Sequence, residues 1–169
     1  MTTTKIDEAR EIAAKWYYKE LWGWDLEKIC SGEERPAFLK SLLIAANGDG
    51  ILAPEEKKWV IGRAAVSGAP DELLRELEAY KADENIVEVV SKTLATNKSR
   101  RAVIYFAIKA SAADGTYNDE EKKQVRRAAT AMGISEDEVA EIEKLYAEEE
   151  RLKEKRIQLC FPDGDPFAK

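Results

Sequence analysis

Sliding the chain against itself by 65 positions brings Asp49-Gly50 onto Asp114-Gly115 and Glu55-Glu56-Lys57-Lys58 onto Glu120-Glu121-Lys122-Lys123. In the same register Val60 meets Val125, Ala64 meets Ala129, Gly68 meets Gly133, Ala45 meets Ala110 and Glu76 meets Glu141, with no gap. Charged helices give scattered Glu and Lys matches by chance. Glycines, alanines and aspartates aligned without interruption point instead to tandem duplication, the first property to look for because it decides the architecture. Two copies of one unit, each with an apolar face to bury, are expected to pack against one another as a pseudo-symmetric bundle with a shared core.

The unit itself reads as helical. Ile6, Ala9, Ala13, Trp16 and Tyr17 follow a period of 3.6, as do Phe38, Leu39, Leu42, Leu43 and Ala46. The pattern returns at Ile86, Val87, Val90 and Leu94, at Val103, Ile104, Ala107 and Ala110, and at Val125, Ala128, Ala129 and Met132. A period of two, the signature of a half-buried strand, persists nowhere. Breakers at Ser31-Gly32, Asn47 to Pro54, Ser67 to Pro70, Ala82-Asp83, Thr96 to Ser99, Asp114 to Asn118 and Gly133 to Ser135 divide the chain into about eight helices. Ser135 with Glu138 predicts a capping box that launches a long last helix through Ile142, Leu145, Leu152 and Leu159. The expected organisation is an all-α fold in three parts. Residues 1–30 form an aromatic helical extension, residues 31–159 a duplicated domain with repeats at about 34–80 and 99–147, and residues 160–169 a tail that Pro162 and Pro166 keep out of the helix.

Composition narrows the function classes. With 169 residues the chain is long enough for a core without metal or disulfide staples. Cys30 and Cys160, a lone distant pair, supply neither a disulfide framework nor a zinc ligand set and are expected to be reduced thiols. The formal charge of −6 argues against nucleic acid as a partner, because phosphate binding needs a dense basic face. No apolar run reaches the roughly 20 residues of a transmembrane helix, and the polar start lacks a signal peptide's hydrophobic segment, so a cytoplasmic protein is expected. Histidine is absent, which removes the commonest general acid and base near neutral pH.

The duplicated loops carry the most suggestive chemistry. Asp49 and Glu56 stand seven apart, as do Asp114 and Glu121, with glycine after each aspartate. This is the spacing of positions five, six and twelve of an EF-hand calcium loop. The first-ligand places hold Ala45 and Ala110 and the third-ligand places Asn47 and Ala112, so the conventional EF-hand is not met. Two readings stay open. In the structural one, the glycines end helices at positive φ, Glu121 and Glu56 close capping boxes behind Asn118 and Pro54, and the aspartates fold into Asx turns. In the functional one, an aspartate at the negative end of a helix dipole is compensated by loop amides or by a bound cation. The four carboxylates Asp49, Glu56, Asp114 and Glu121, if brought together, then form a hard-oxygen site for calcium or magnesium.

Ser111-Ala112-Ala113-Asp114-Gly115, followed by Glu121 and Gly133-Ile134-Ser135, resembles the TerB-like family of tellurite-resistance proteins, and is similar to the helical amino-terminal domain of DjlA-type co-chaperones. The likeness runs over residues 34 to 147 as two diverged halves. It implies an all-helical, non-enzymatic module of bacterial stress and metal-resistance systems, with Asp49, Glu56, Asp114 and Glu121 carried over as divalent-metal ligands.

Trp16, Tyr17, Tyr18, Leu21, Trp22 and Trp24 crowd more aromatic surface into nine positions than one helical stripe buries. Either the segment wraps across the bundle, or Trp16, Trp22 and Trp24 anchor a protein partner or a second copy of the chain. Lys98, Arg100 and Arg101 behind Ser99 form a short basic patch that reads as a phosphate contact or a solvated turn. A metal-free homodimeric adaptor and a hydrolase using paired carboxylates are the alternatives to a cation-binding scaffold.

Overall fold

The computed structural model describes residues 5–27, 34–47 and 52–167. Among these residues there are nine α-helices and no strand. In order they are α1 (Lys5–Trp22), α2 (Glu34–Ala46), α3 (Pro54–Val66), α4 (Asp71–Ala79), α5 (Ile86–Ser91), α6 (Leu94–Lys98), α7 (Arg100–Ser111), α8 (Asp119–Ala131) and α9 (Glu136–Cys160), with a 3-10 turn at Ala112–Asp114. None of the described helices is long and apolar enough to cross a membrane.

Helices α2 and α7 make the most extensive packing contact in the molecule. Both are apolar on nearly every side, and residues 103–108 of α7 are buried without interruption, as a helix at the centre of a bundle must be. Leu39, Leu42, Leu43, Val60 and Ala64 from the first half share one core with Val103, Ile104, Ile108, Val125 and Ala129 from the second. The polar heads of these central helices are tied at the surface: Lys40 pairs with Glu76 at 2.5 Å, and Lys109 with Glu149 at 2.5 Å.

Helix bounds follow the 65-residue offset closely. α3 and α8 correspond at both ends, α2 and α7 share their last position, and α4 and α9 share their first. The turn after each second helix has the same hydrogen bonds: Ala69 N–H donates to Ala64 O and Ile134 N–H to Ala129 O, both at 3.0 Å, around Gly68 (φ 87°) and Gly133 (φ 76°). Arg35 and Arg100, also 65 apart, each donate from Nη1 to this turn, at Gly68 O (2.5 Å) and Met132 O (2.6 Å).

Two sequence expectations shift. The stretch from Ile86 to Leu94, which the pattern reads as one helix, breaks at Lys92-Thr93. The Thr93 hydroxyl accepts from Thr96 N at 3.1 Å and opens the short α6, so the expected break at Thr96 to Ser99 is itself partly helical. Leu94, expected on the apolar face, is 69 % exposed. The nine helices among the described residues agree with the expected all-α fold of about eight helices, the extra one being the short α6.

Candidate functional site

The second acidic loop is built from local hydrogen bonds. α7 ends at Ser111, the 3-10 turn carries the chain to Asp114, and Gly115 turns it at φ 103°, a value L side chains rarely adopt. Asp114 Oδ1 accepts from Thr116 N (2.9 Å) and Thr116 Oγ1 (3.0 Å), an Asx turn. Asn118 then caps α8, accepting on Oδ1 from Glu120 N (2.9 Å) and Glu121 N (3.1 Å), while Glu121 Oε2 accepts from Asn118 N at 2.7 Å. Both reciprocal bonds of a capping box are therefore made.

Glu121 is the electrostatically perturbed carboxylate of this loop. Partial burial raises the Glu121 carboxyl above its usual pKa, the Asn118 amide works against that rise, and the charge of Asp114 adds to it. Each carboxylate spends one oxygen on the loop, and its other oxygen makes no hydrogen bond among the described residues. In the first loop, Glu56 is 7 % exposed and its Oε2 accepts from Ala53 N at 2.8 Å. Asp49 lies outside the described residues. Among the described residues no three acidic or cysteine side chains gather closely enough to hold a metal ion, so Glu56 does not join Asp114 and Glu121 in one group. The second loop thus holds two carboxylates, Asp114 and Glu121, each engaged with loop amides.

Of the aromatic residues, Trp16 (60 % exposed) and Trp24 (56 %) stand at the surface. Trp22 is half-buried, packing 6.0 Å from both Tyr105 and Phe106 on α7 while Trp24 stacks on it at 5.4 Å. The extension therefore docks on the bundle through Trp22 and leaves two tryptophans outside. Of the basic patch, Arg100 is bound to Asn97 and Met132 O, and Arg101 pairs with Glu138, so their cations serve the helix junctions. Cys160 is a free, exposed thiol, and Cys30 lies outside the described residues. Sequence reasoning missed Arg63, whose guanidinium lies 3.7 Å from the centre of the Phe106 ring. Its neighbours come from helices far apart in sequence, and no local motif marks it.

The described residues form an all-helical bundle with two carboxylates, Asp114 and Glu121, at the turn from α7 into α8. The family described as tellurite resistance protein TerB matches residues 42–144, and the chain belongs to that family. Its fold is similar to the crystal structure of a tellurite resistance protein from Nostoc punctiforme PCC 73102, with 33 % sequence identity, a TM-score of 0.86, and coverage of 98 % of this chain and 100 % of that one. No curated protein matches the sequence. Most of the aromatic extension and the outer part of α9 lie beyond the family match yet within the span of the structural likeness.

Proposed function

We propose that the protein is a non-enzymatic scaffold of tellurite-type metal or stress resistance that takes a divalent cation, calcium or magnesium, on its Asp-Gly loops. The carboxylates are Asp114 and Glu121 in the second half and Asp49 and Glu56 in the first. The observation that carries this reading is a partly buried Glu121 carboxyl, raised first by burial and further by the repulsion of Asp114, with one oxygen of each carboxylate clear of hydrogen bonds among the described residues. A cation between them removes that repulsion and meets the oxygen preference of hard divalent ions. Loop carbonyls and water complete its coordination.

Calorimetric titration of the full chain with calcium and with magnesium tests this reading. Saturable binding is expected in the wild type and about tenfold weaker binding in Asp114→Ala and Glu121→Gln, the scale on which one charged contact counts. No binding in the wild type, or equal binding in both variants, refutes it.

A second reading rests on the exposed faces of Trp16 and Trp24, residue types enriched where binding energy concentrates. On this reading the extension anchors a protein partner or a second copy. Sedimentation at rising concentration distinguishes the two readings, with self-association expected to vanish in a Trp16→Ala and Trp24→Ala double variant.

A further inference from the structure

A cavity of about 200 Å³ lies where the extension crosses α2, α3 and α7. Its wall carries Tyr18, Trp22, Trp24, Phe38 and Phe106 around the side chain of Arg63. The Arg63 guanidinium carbon is 3.7 Å from the Phe106 ring centre, 5.3 Å from Phe38 and 5.8 Å from Tyr17. Its Nε is buried and has no hydrogen-bond partner. Lys40 and Lys109, the other half-buried cations of this region, each have a carboxylate within 2.5 Å, whereas Arg63 has none among the described residues.

A guanidinium cannot escape this situation by losing its proton. Arg63 is half-buried; aromatic faces compensate a partly desolvated cation only in part, and an opposite charge brought to it would be favourable. Burial accordingly presses the Arg63 pKa downward, with the neighbouring tyrosines opposing it. The wall's serine and threonine hydroxyls are already engaged: Ser67 Oγ donates to Ala64 O, Ser99 Oγ to Ala95 O, and Thr96 Oγ1 to Glu34 O. Glu34 and Arg35 also reach the wall, so its charged residues sum to a net positive charge in a protein of net charge −6.

We infer that this cavity binds a small organic carboxylate, its anionic end at Arg63 and its apolar body between the aromatic rings. Size separates this ligand from others. An apolar cavity of about 150 Å³ accommodates benzene, so one ring with a carboxylate fits. Drug-sized or nucleotide ligands begin at about 300 Å³. The 65-residue offset sharpens the assignment, because the position equivalent to Arg63 is Ala128, and Tyr18, Trp22 and Trp24 belong to an extension with no counterpart in the second half. The second half therefore has no equivalent of this site, which is separate from the cation loops.

Benzoate is the probe, titrated into the full chain and followed by calorimetry and by tryptophan fluorescence, since Trp22 and Trp24 line the cavity. Benzamide, equal in shape but neutral, and acetate, charged but without a ring, are the controls. Saturable benzoate binding is expected, with benzamide and acetate each weaker by about tenfold or more, the scale of one charge-assisted hydrogen bond or one buried ring. Arg63→Met is expected to erase the preference for benzoate over benzamide. Trp24→Ala, an exposed substitution that leaves the core intact, is expected to weaken benzoate and spare calcium binding at the loops. Equal binding of benzoate and benzamide to the wild type, no binding of benzoate, or an unchanged preference in folded Arg63→Met overturns the inference.

Discussion

Two helices at corresponding places begin differently, and the difference sets a stability experiment with its own internal control. At α8, Asn118 accepts from the amides of Glu120 and Glu121. At α3 the corresponding residue is Ala53, whose backbone is also extended (φ −63°, ψ 145°) but whose methyl group accepts nothing. Pro54 removes one orphan donor and Glu56 satisfies the Ala53 amide, while position 53 itself offers no side-chain acceptor to the first turn. Serine at position 53 supplies the missing acceptor and is small enough for a half-buried site. Exchanging a good N-cap for alanine costs about 1 kcal/mol, within about 0.5–2. Ala53→Ser is therefore expected to stabilise the protein by about 1 kcal/mol and Asn118→Ala to destabilise it by a similar amount. In a chain of this length the midpoint of thermal unfolding moves by about 2–4 °C in each direction. The double variant should return close to wild type, because separate sites add. Urea unfolding followed by circular dichroism, with unchanged slope, measures all three. A loss of stability in Ala53→Ser, or none in Asn118→Ala, refutes the view that side-chain caps set the relative strength of the two halves.

Three further outcomes follow. Glu121 has a folded pKa above its unfolded value, so its contribution to stability is fully present below the unfolded pKa and is lost as pH rises through the folded one; Glu121→Gln should therefore gain on the wild type in thermal midpoint as pH is raised from about 4 to 7, and a constant difference argues against the raised pKa. Gly115→Ala introduces no clash, since nothing lies within 4 Å of the added carbon, so the φ of 103° alone should cost about 1–3 kcal/mol, read from denaturant midpoints. A chain ending after Glu150 keeps the Lys109–Glu149 pair and removes only side chains that lie exposed through residue 167, so its thermal midpoint should stay within about 2 °C of the wild type.

The helices were legible wherever an apolar period met a strong stop, as at Gly68 and Gly133, because glycine at positive φ and the following cap act within a few residues. The break at Thr93 was hidden for the opposite reason: its hydroxyl competes for a backbone amide inside a stretch whose apolar pattern runs on through Leu94. In the loops, the Asx turn at Asp114 and the box between Asn118 and Glu121 could be read from spacing alone, since each spans only a few residues. Whether distant carboxylates gather depends on how helices pack, and spacing carries no such information. Arg63 shows this most clearly. Its ring partners Tyr17, Phe38 and Phe106 lie on α1, α2 and α7, and only assembly of the bundle brings them onto one cation.

The outer part of α9 has a mechanical consequence. Residues 151–160 are exposed on every side, and at about 1.5 Å per residue they extend the molecule by roughly 15 Å. A body carrying such a rod meets more drag and reorients more slowly about its short axes than a sphere of equal mass. Because Cys160 sits at the tip with its thiol exposed, a dye attached there reports the swing of the rod separately from the tumbling of the bundle.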